Sequence, residues 1–250
     1  MKGFIAICKI EFQLYLRDFF SFFFDLVFPV LMLLLFGSIY GNMPVSGGAG
    51  MKMMDSSVPA YCVMVTGVTG LMSLPLTLAG YKEKKIYKRF DATPAGKKSV
   101  IFAQAAASLA MALAGIVVLL AAGTLLYQIQ IKGTFFSVFT GILCSIAAMF
   151  SLGFLFTAVG RDLKSTSLLC YLCYFMMLFL SGAAMPDALF PDSVKKISSF
   201  LPMTYAVDLL QGVFAGESLA MHGKELLILG AVAAAGTAAG AVLYRRKDWT

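Results

Sequence analysis

A few residue groups in this sequence have types and spacings that could do chemistry. Ala95-Gly96-Lys97-Lys98-Ser99 has the ending of a phosphate loop, in which backbone amides cradle phosphates and a lysine reaches the outer one. The loop needs a first glycine at position 91, which is Asp91, and an apolar strand before it, which is missing, so the chain carries no ATP site. Cys170 and Cys173 have redox or zinc spacing, but no second pair accompanies them and the single histidine, His222, lies far along the chain. The five cysteines (Cys8, Cys62, Cys144, Cys170, Cys173) are odd in number and read as small packing residues. Tyr205, Asp208 and Glu217 come nearest to an enzyme-like cluster but lack a base or a metal set. No catalytic and no metal-binding residue is expected.

Asp25 is the only acid clearly inside an apolar run, near its end, where water is close. A proton or ion relay would string ionisable groups across the bilayer, and no such ladder exists. Inverted repeats are not evident either. A stand-alone secondary transporter or channel therefore loses ground, and a membrane enzyme does so for want of a catalytic cluster.

The elements that must position these residues are apolar. Of 250 residues, 60% are hydrophobic and 13% charged, and mean hydropathy is +0.85. A water-facing surface usually needs about twice that charge. Six long runs stand out, at about 19–40, 58–80, 100–127, 135–159, 167–185 and 226–244. Each has roughly the 19 residues or more that a helix needs to cross hydrocarbon, and none alternates as barrel strands do. Asp25 costs the first run about 3 kcal/mol, but fifteen Leu, Ile, Phe or Val residues between Phe19 and Ile39 outweigh it. That run is also too long for the core of a cleaved signal peptide. The expected fold is an all-α membrane protein in a single transmembrane domain, 1–250.

Net charge is +7, but the positive residues gather between apolar runs, which orients a membrane protein and does not point to nucleic acid. Fifteen of the twenty Lys and Arg fall in residues 1–18, 81–99, 160–166 and the tail, and five in the alternate loops. This asymmetry places both termini in the cytoplasm of an inner (plasma) membrane.

Three segments lie outside the runs. Lys2, Lys9, Gln13 and Arg17 share a helical face near Phe4, Ile5, Phe12 and Leu16, which fits an interfacial helix or an ordinary positive flank. Tyr81–Ser99 reads as a helix from Lys82 to Asp91, stopped before Pro94. On it Ile86, Tyr87 and Phe90 form an apolar patch among Lys84, Lys85, Lys88 and Arg89, a stripe that a mere topology anchor does not need and a docking surface does. Pro186–Lys224 is long and apolar for an outer loop. Phe190, Val194, Ile197 and Leu201 follow helical spacing before Pro202, as a short re-entrant helix would. Two Gly-xxx-Gly pairs, Gly37/Gly41 and Gly236/Gly240, have the spacing of close helix contacts.

Two of these segments resemble the membrane (permease) subunits of type-2 ABC exporters, the ABC-2 type transporter family. The family's loop after the second span runs approximately Arg-Glu-x-Gly-Thr-Leu-Lys-Arg-Leu-Arg-Ala-Thr-Pro. Here Lys82-Glu83-Lys84-Lys85-Ile86-Tyr87-Lys88-Arg89-Phe90-Asp91-Ala92-Thr93-Pro94 keeps the acid, the basic pair and the ending. Lys85-Ile86 replaces Gly-Thr, and Asp91 replaces a base. The second likeness is Leu180-Ser181-Gly182, Pro186, then Leu201-Pro202-Met203-Thr204-Tyr205-Ala206-Val207-Asp208.

The resemblance implies a permease that pairs with a second copy of itself or a homologue, and with cytoplasmic ABC ATPase subunits that hold ATP and Mg. It implies a coupling helix after the second span, with Glu83, Ile86, Tyr87, Arg89 and Phe90 meeting the ATPase. Glu83 would bond to the partner, Tyr87 or Lys88. It also implies a substrate path along the second and fifth spans, lined by Thr66, Thr69, Met72, Tyr171, Tyr174, Phe175 and Met177. The expected function is export of an amphipathic or hydrophobic compound such as a drug, antibiotic, peptide or lipid-linked molecule, from a bacterial or archaeal cell.

Overall fold

The computed structural model describes residues 2–40, 52–91, 96–184 and 190–246, and those residues are helical with short connections. Gly41, Ala92–Pro94, Met185, Pro186 and Lys247, which carry parts of the sequence reading, lie outside them. In hydrocarbon a helix satisfies its own backbone polar groups, which is why runs this apolar take no other form.

Helix α1 (Lys2–Arg17) is followed at Asp18 by α2, residues 19–40. Then come α3 (Met53–Glu83), the short α4 (Ile86–Asp91), α5 (Gly96–Tyr127), α6 (Phe135–Val159) and α7 (Leu163–Leu180). The far loop holds α8 (Asp192–Ser198) and α9 (Pro202–Ala215), and α10 (Gly223–Arg246) ends the described chain. Among the described residues five helices are long and apolar enough to cross a membrane: α3, α5, α6, α7 and α10 with its leading turn. In α2 the apolar core is shorter, Phe23–Ile39.

Helix α3 is the axis of the bundle. Of its most apolar stretch 89% is buried, against 17% for α10. Close backbone approach makes this possible. A Cβ on Gly153 of α6 would lie 1.9 Å from the Gly70 carbonyl oxygen, and one on Gly70 would lie 2.8 Å from the Met149 backbone carbon. On its other side α6 meets α10, where Gly236 abuts Ser151 and Gly240 abuts Phe154. The Ser151 hydroxyl donates to the Val232 carbonyl at 3.2 Å.

Two helices widen into π turns, Phe23–Val27 in α2 and Thr69–Ser73 in α3. Each ends two residues before a proline, Pro29 and Pro75. Proline has no N–H for the carbonyl four residues back, so the ladder shifts register: Phe28 N–H bonds Phe23 O, and Leu74 N–H bonds Thr69 O. These turns set the rotation of α2 and α3 where the two helices meet.

The boundaries depart from the sequence reading in three places. The run expected over 167–185 ends at Leu180, because Ser181 caps it and Gly182 turns with φ 81°. The helix expected from Lys82 to Asp91 is broken: α3 continues to Glu83, Lys84 and Lys85 form a turn, and α4 begins at Ile86. Lys85 has φ 54°, a left-handed conformation that favours glycine, and it stands where the resembling family has Gly. Lys85→Gly should therefore match or exceed the parent's thermal midpoint in detergent, since it removes a Cβ penalty of about 1–2 kcal/mol, whereas the β-branched Lys85→Val should lower it. Equal midpoints for both would show that the turn carries no such constraint. In the far loop, Pro202 starts α9 instead of ending a helix, since proline at the first helical position lacks only an N–H that would be unpaired anyway. The buried element there is α9, with Met203, Leu209, Leu210 and Val213 inward, while Ile197 on α8 is 53% exposed.

Candidate functional site

The polar groups at the basic end of the bundle tie α3 to its neighbours. Lys82 donates to the Gly160 carbonyl at 3.4 Å, and the Glu83 carboxylate accepts from the Leu163 amide at 3.2 Å. Glu83 thus bonds the first turn of α7; of the partners expected for it, Tyr87 donates to the Leu78 carbonyl instead, and a bond to a partner protein belongs to the complex, not to the chain alone. Asp162 caps the same helix, accepting from the Ser165 amide at 2.7 Å, and that bond holds its carboxyl below the usual range.

Tyr87 is buried and donates to the Leu78 carbonyl at 3.2 Å, edge-on to Tyr81. Burial pushes its phenol upward. It clamps α4 onto α3 and does not face outward as a docking residue would. Lys88 and Arg89 are exposed, and Ile86 and Phe90 are half-buried. The outward face of α4 is thus basic with an apolar margin.

Helix α1 lies across this end with Glu11 and Tyr15 inward. Tyr81 donates to the Glu11 carboxylate at 2.5 Å. Burial raises the Glu11 carboxyl and the tyrosine bond partly offsets this. Tyr15 and Ser73 both donate to Asp25 Oδ2, Ser73 at 2.9 Å. Asp25, read from sequence as close to water, is 1% exposed, because α1 folds back and places Tyr15 over it. Ile5, Phe12 and Leu16 face outward with Lys9, Gln13 and Arg17.

Beside this network runs a two-part groove. Its mouth, about 540 Å³, is mostly apolar in surface but carries the charged side chains Glu83, Asp162 and Lys164 beside Leu163, Ser167, Leu168 and Tyr171. Its inner part, about 320 Å³, is apolar, between α2, α3 and α7, and lined by Phe24, Met72, Ser73, Leu76, Tyr171 and Phe175 among others. Tyr171 borders both. A molecule with one polar and one apolar end matches that sequence of surfaces.

The residues expected along the second and fifth spans divide accordingly. Met72, Tyr171 and Phe175 line the groove. Thr66 and Thr69 are fully buried, and their hydroxyls bond back to the Val63 and Val65 carbonyls at 2.8 Å. Tyr174 is buried in the core against Gly67, and Met177 packs on the same cluster. Ser21, Phe24 and Ser73 border the groove without having been singled out in the sequence. Phe24 and Ser73 sit in the two π turns, and Pro29 and Pro75 were the signal for those.

Five long apolar helices among the described residues, with a groove beside them, are the architecture of a multi-pass membrane protein. The comparison with protein families agrees: the model for the ABC-2 type transporter matches residues 2–215. The chain belongs to the ABC-2 type transporter family. No curated protein matches it.

Proposed function

We propose that the chain is the permease subunit of an ATP-driven exporter that moves an amphipathic or hydrophobic compound. Residues 19–40 form the sixth span, since 22 helical residues reach about 30 Å. Both termini are cytoplasmic in a bacterial or archaeal inner membrane, on the weight of the lysines. A cytoplasmic ABC ATPase, holding ATP and Mg, docks on the segment around α4, and two permease chains assemble side by side. The observation that carries this reading is the largely apolar groove, with Glu83, Asp162 and Lys164 at its mouth and Tyr171 bordering both of its parts, next to the basic segment.

The test uses the chain alone and the chain joined to the ATPase encoded with it. Alone it should hydrolyse no ATP. Joined, its ATPase should be stimulated by a fluorescent amphipathic dye, with Tyr171→Ala raising the half-saturating dye concentration about tenfold, as loss of an aromatic anchor does. Leu125→Ala, 81% exposed and away from the groove, should leave it unchanged. Hydrolysis by the isolated chain, or dye movement driven by an ion gradient without the ATPase, would replace this reading with a self-powered transporter. Identical curves for the two variants would remove the groove as the path.

A further inference from the structure

Two serine hydroxyls border the inner part of the groove, Ser21 on α2 and Ser73 on α3, and both spend their hydrogens on carboxyl groups. Ser21 donates to Asp18 Oδ2 at 2.6 Å, and Ser73 donates to Asp25 Oδ2 at 2.9 Å. A serine hydroxyl has one hydrogen and two lone pairs, so each has only an acceptor left to offer. A hydroxyl bonded to a carboxyl is also polarised, which makes its oxygen more negative. Ser21 is half-buried and can be touched from the groove. Ser73 is 4% exposed and acts on the sign of the wall from beneath its surface.

The other polarity in this wall is aromatic. Phe24, Tyr171 and Phe175 line it. Phe24 is held edge-on to Phe23 and Phe175 edge-on to Tyr174, each pair with centroids 5.4 Å apart. Ring faces carry negative potential and attract cations. Among the described residues no Lys, Arg or His lines the inner part. At the mouth, Glu83 and Asp162 stand against the single ammonium of Lys164. Lys84, Lys88 and Arg89, which make this end of the bundle basic, are exposed and border neither part.

We infer that the groove selects amphipathic cations, apolar bodies that carry a protonated amine, over neutral and anionic amphiphiles. The ammonium sits at Ser21, in the field of Asp18, and the apolar body lies against Phe24, Met72 and Phe175. An anion in that place would face acceptor oxygens with carboxyl groups behind them. A neutral amphiphile would gain a hydrogen bond at most. The inference rests on the groove being the path of transport and adds the charge of what travels along it.

The test follows dansyl fluorescence as three probes bind the full chain in nanodiscs of zwitterionic lipid, with empty discs as the blank. The probes share one alkyl spacer and end in an ammonium, a hydroxyl or a carboxylate. The ammonium probe should half-saturate at about tenfold lower concentration than the hydroxyl probe, and the carboxylate probe should bind weakest. Asp18→Asn, and Phe175→Leu, which keeps apolar bulk but loses the ring, should each cut that ratio severalfold. Glu217→Gln, which removes a carboxylate at the far end, should leave it unchanged. Because a ratio is read, a general loss of stability does not imitate the effect. Equal binding of the three probes, or tightest binding of the carboxylate, overturns the inference but keeps the groove as a path if Tyr171→Ala still weakens them all. A ratio that neither Asp18→Asn nor Phe175→Leu moves also overturns it, by placing the selection outside the groove. No saturable signal from any probe removes groove and inference together. The expected ratio without stimulation of the joined ATPase by the ammonium probe would support the selectivity and count against the transport reading alone.

Discussion

Gly153→Ala is expected to lower the stability of the chain by about 3 kcal/mol or more, the upper range for overpacking, from one added methyl group. The new Cβ would stand 1.9 Å from the Gly70 carbonyl oxygen, a backbone atom that cannot swing aside. Relief requires α6 to withdraw from α3. Helix α6 is also fitted to α10 through Gly236 on Ser151 and the Ser151–Val232 hydrogen bond, so withdrawal disturbs a second contact. Gly70 lies within the π turn that ends at Ser73, and Met72 and Ser73 line the groove, so the same movement would reshape the groove. Gly230→Ala is the matched control: nothing lies within 4 Å of its Cβ, and alanine is the better helix former. In detergent Gly230→Ala should melt at or slightly above the parent's midpoint while Gly153→Ala melts well below it. Equal midpoints for the two variants would mean that α3 and α6 are not in close backbone contact.

What could be read from the sequence follows from the range of the forces involved. Long apolar runs at 100–127 and 135–159 report local composition, and α5 and α6 occupy them closely. The pair Gly236/Gly240 lies on one helix with a fixed spacing, and both glycines meet α6. Gly70 and Gly153 stand where an added Cβ would strike backbone of the facing helix, yet they are on different helices and share no spacing in the chain, so no local pattern reveals them. The π turns had a local signal in Pro29 and Pro75, but a proline in a run says that a helix deforms, not which side chains the deformation brings together. Asp25 shows the same limit. Its position near a run's end suggested contact with water, and only the return of α1 places Tyr15 over it. Of the residues to which the family resemblance pointed, Met72, Tyr171 and Phe175 border the groove, whereas Thr66 and Thr69 spend their hydroxyls on their own helix.

Phe90→Ala should leave the chain inserted and folded yet abolish dye-stimulated ATP hydrolysis and transport together. Phe90 is half-buried at the margin of α4, beside exposed Lys88 and Arg89, while Tyr87 is turned inward onto Leu78. If α4 seats in a cleft of the ATPase, Phe90 with Ile86 supplies its apolar contact, and aromatic anchors of this kind contribute about 2 kcal/mol or more. Lys88→Ala and Arg89→Ala remove exposed charges, which singly contribute about 0–1 kcal/mol, so each should reduce coupling only slightly. Tyr87→Phe tests the internal clamp: it removes the bond to the Leu78 carbonyl and should lower the thermal midpoint of the isolated chain, a readout that docking alone would not move. Movement of α4 would reach the groove through the end of α3, where Glu83 holds the Leu163 amide at the foot of α7. Glu83→Gln should therefore keep ATPase binding while weakening dye stimulation. A segment that only fixed topology would give the opposite ranking: loss of several lysines would impair insertion, and Phe90→Ala would do nothing. Measuring insertion, co-purification of the ATPase and stimulated hydrolysis for each variant separates the two, and a Phe90→Ala complex that assembles and transports like the parent would remove α4 as the point of coupling.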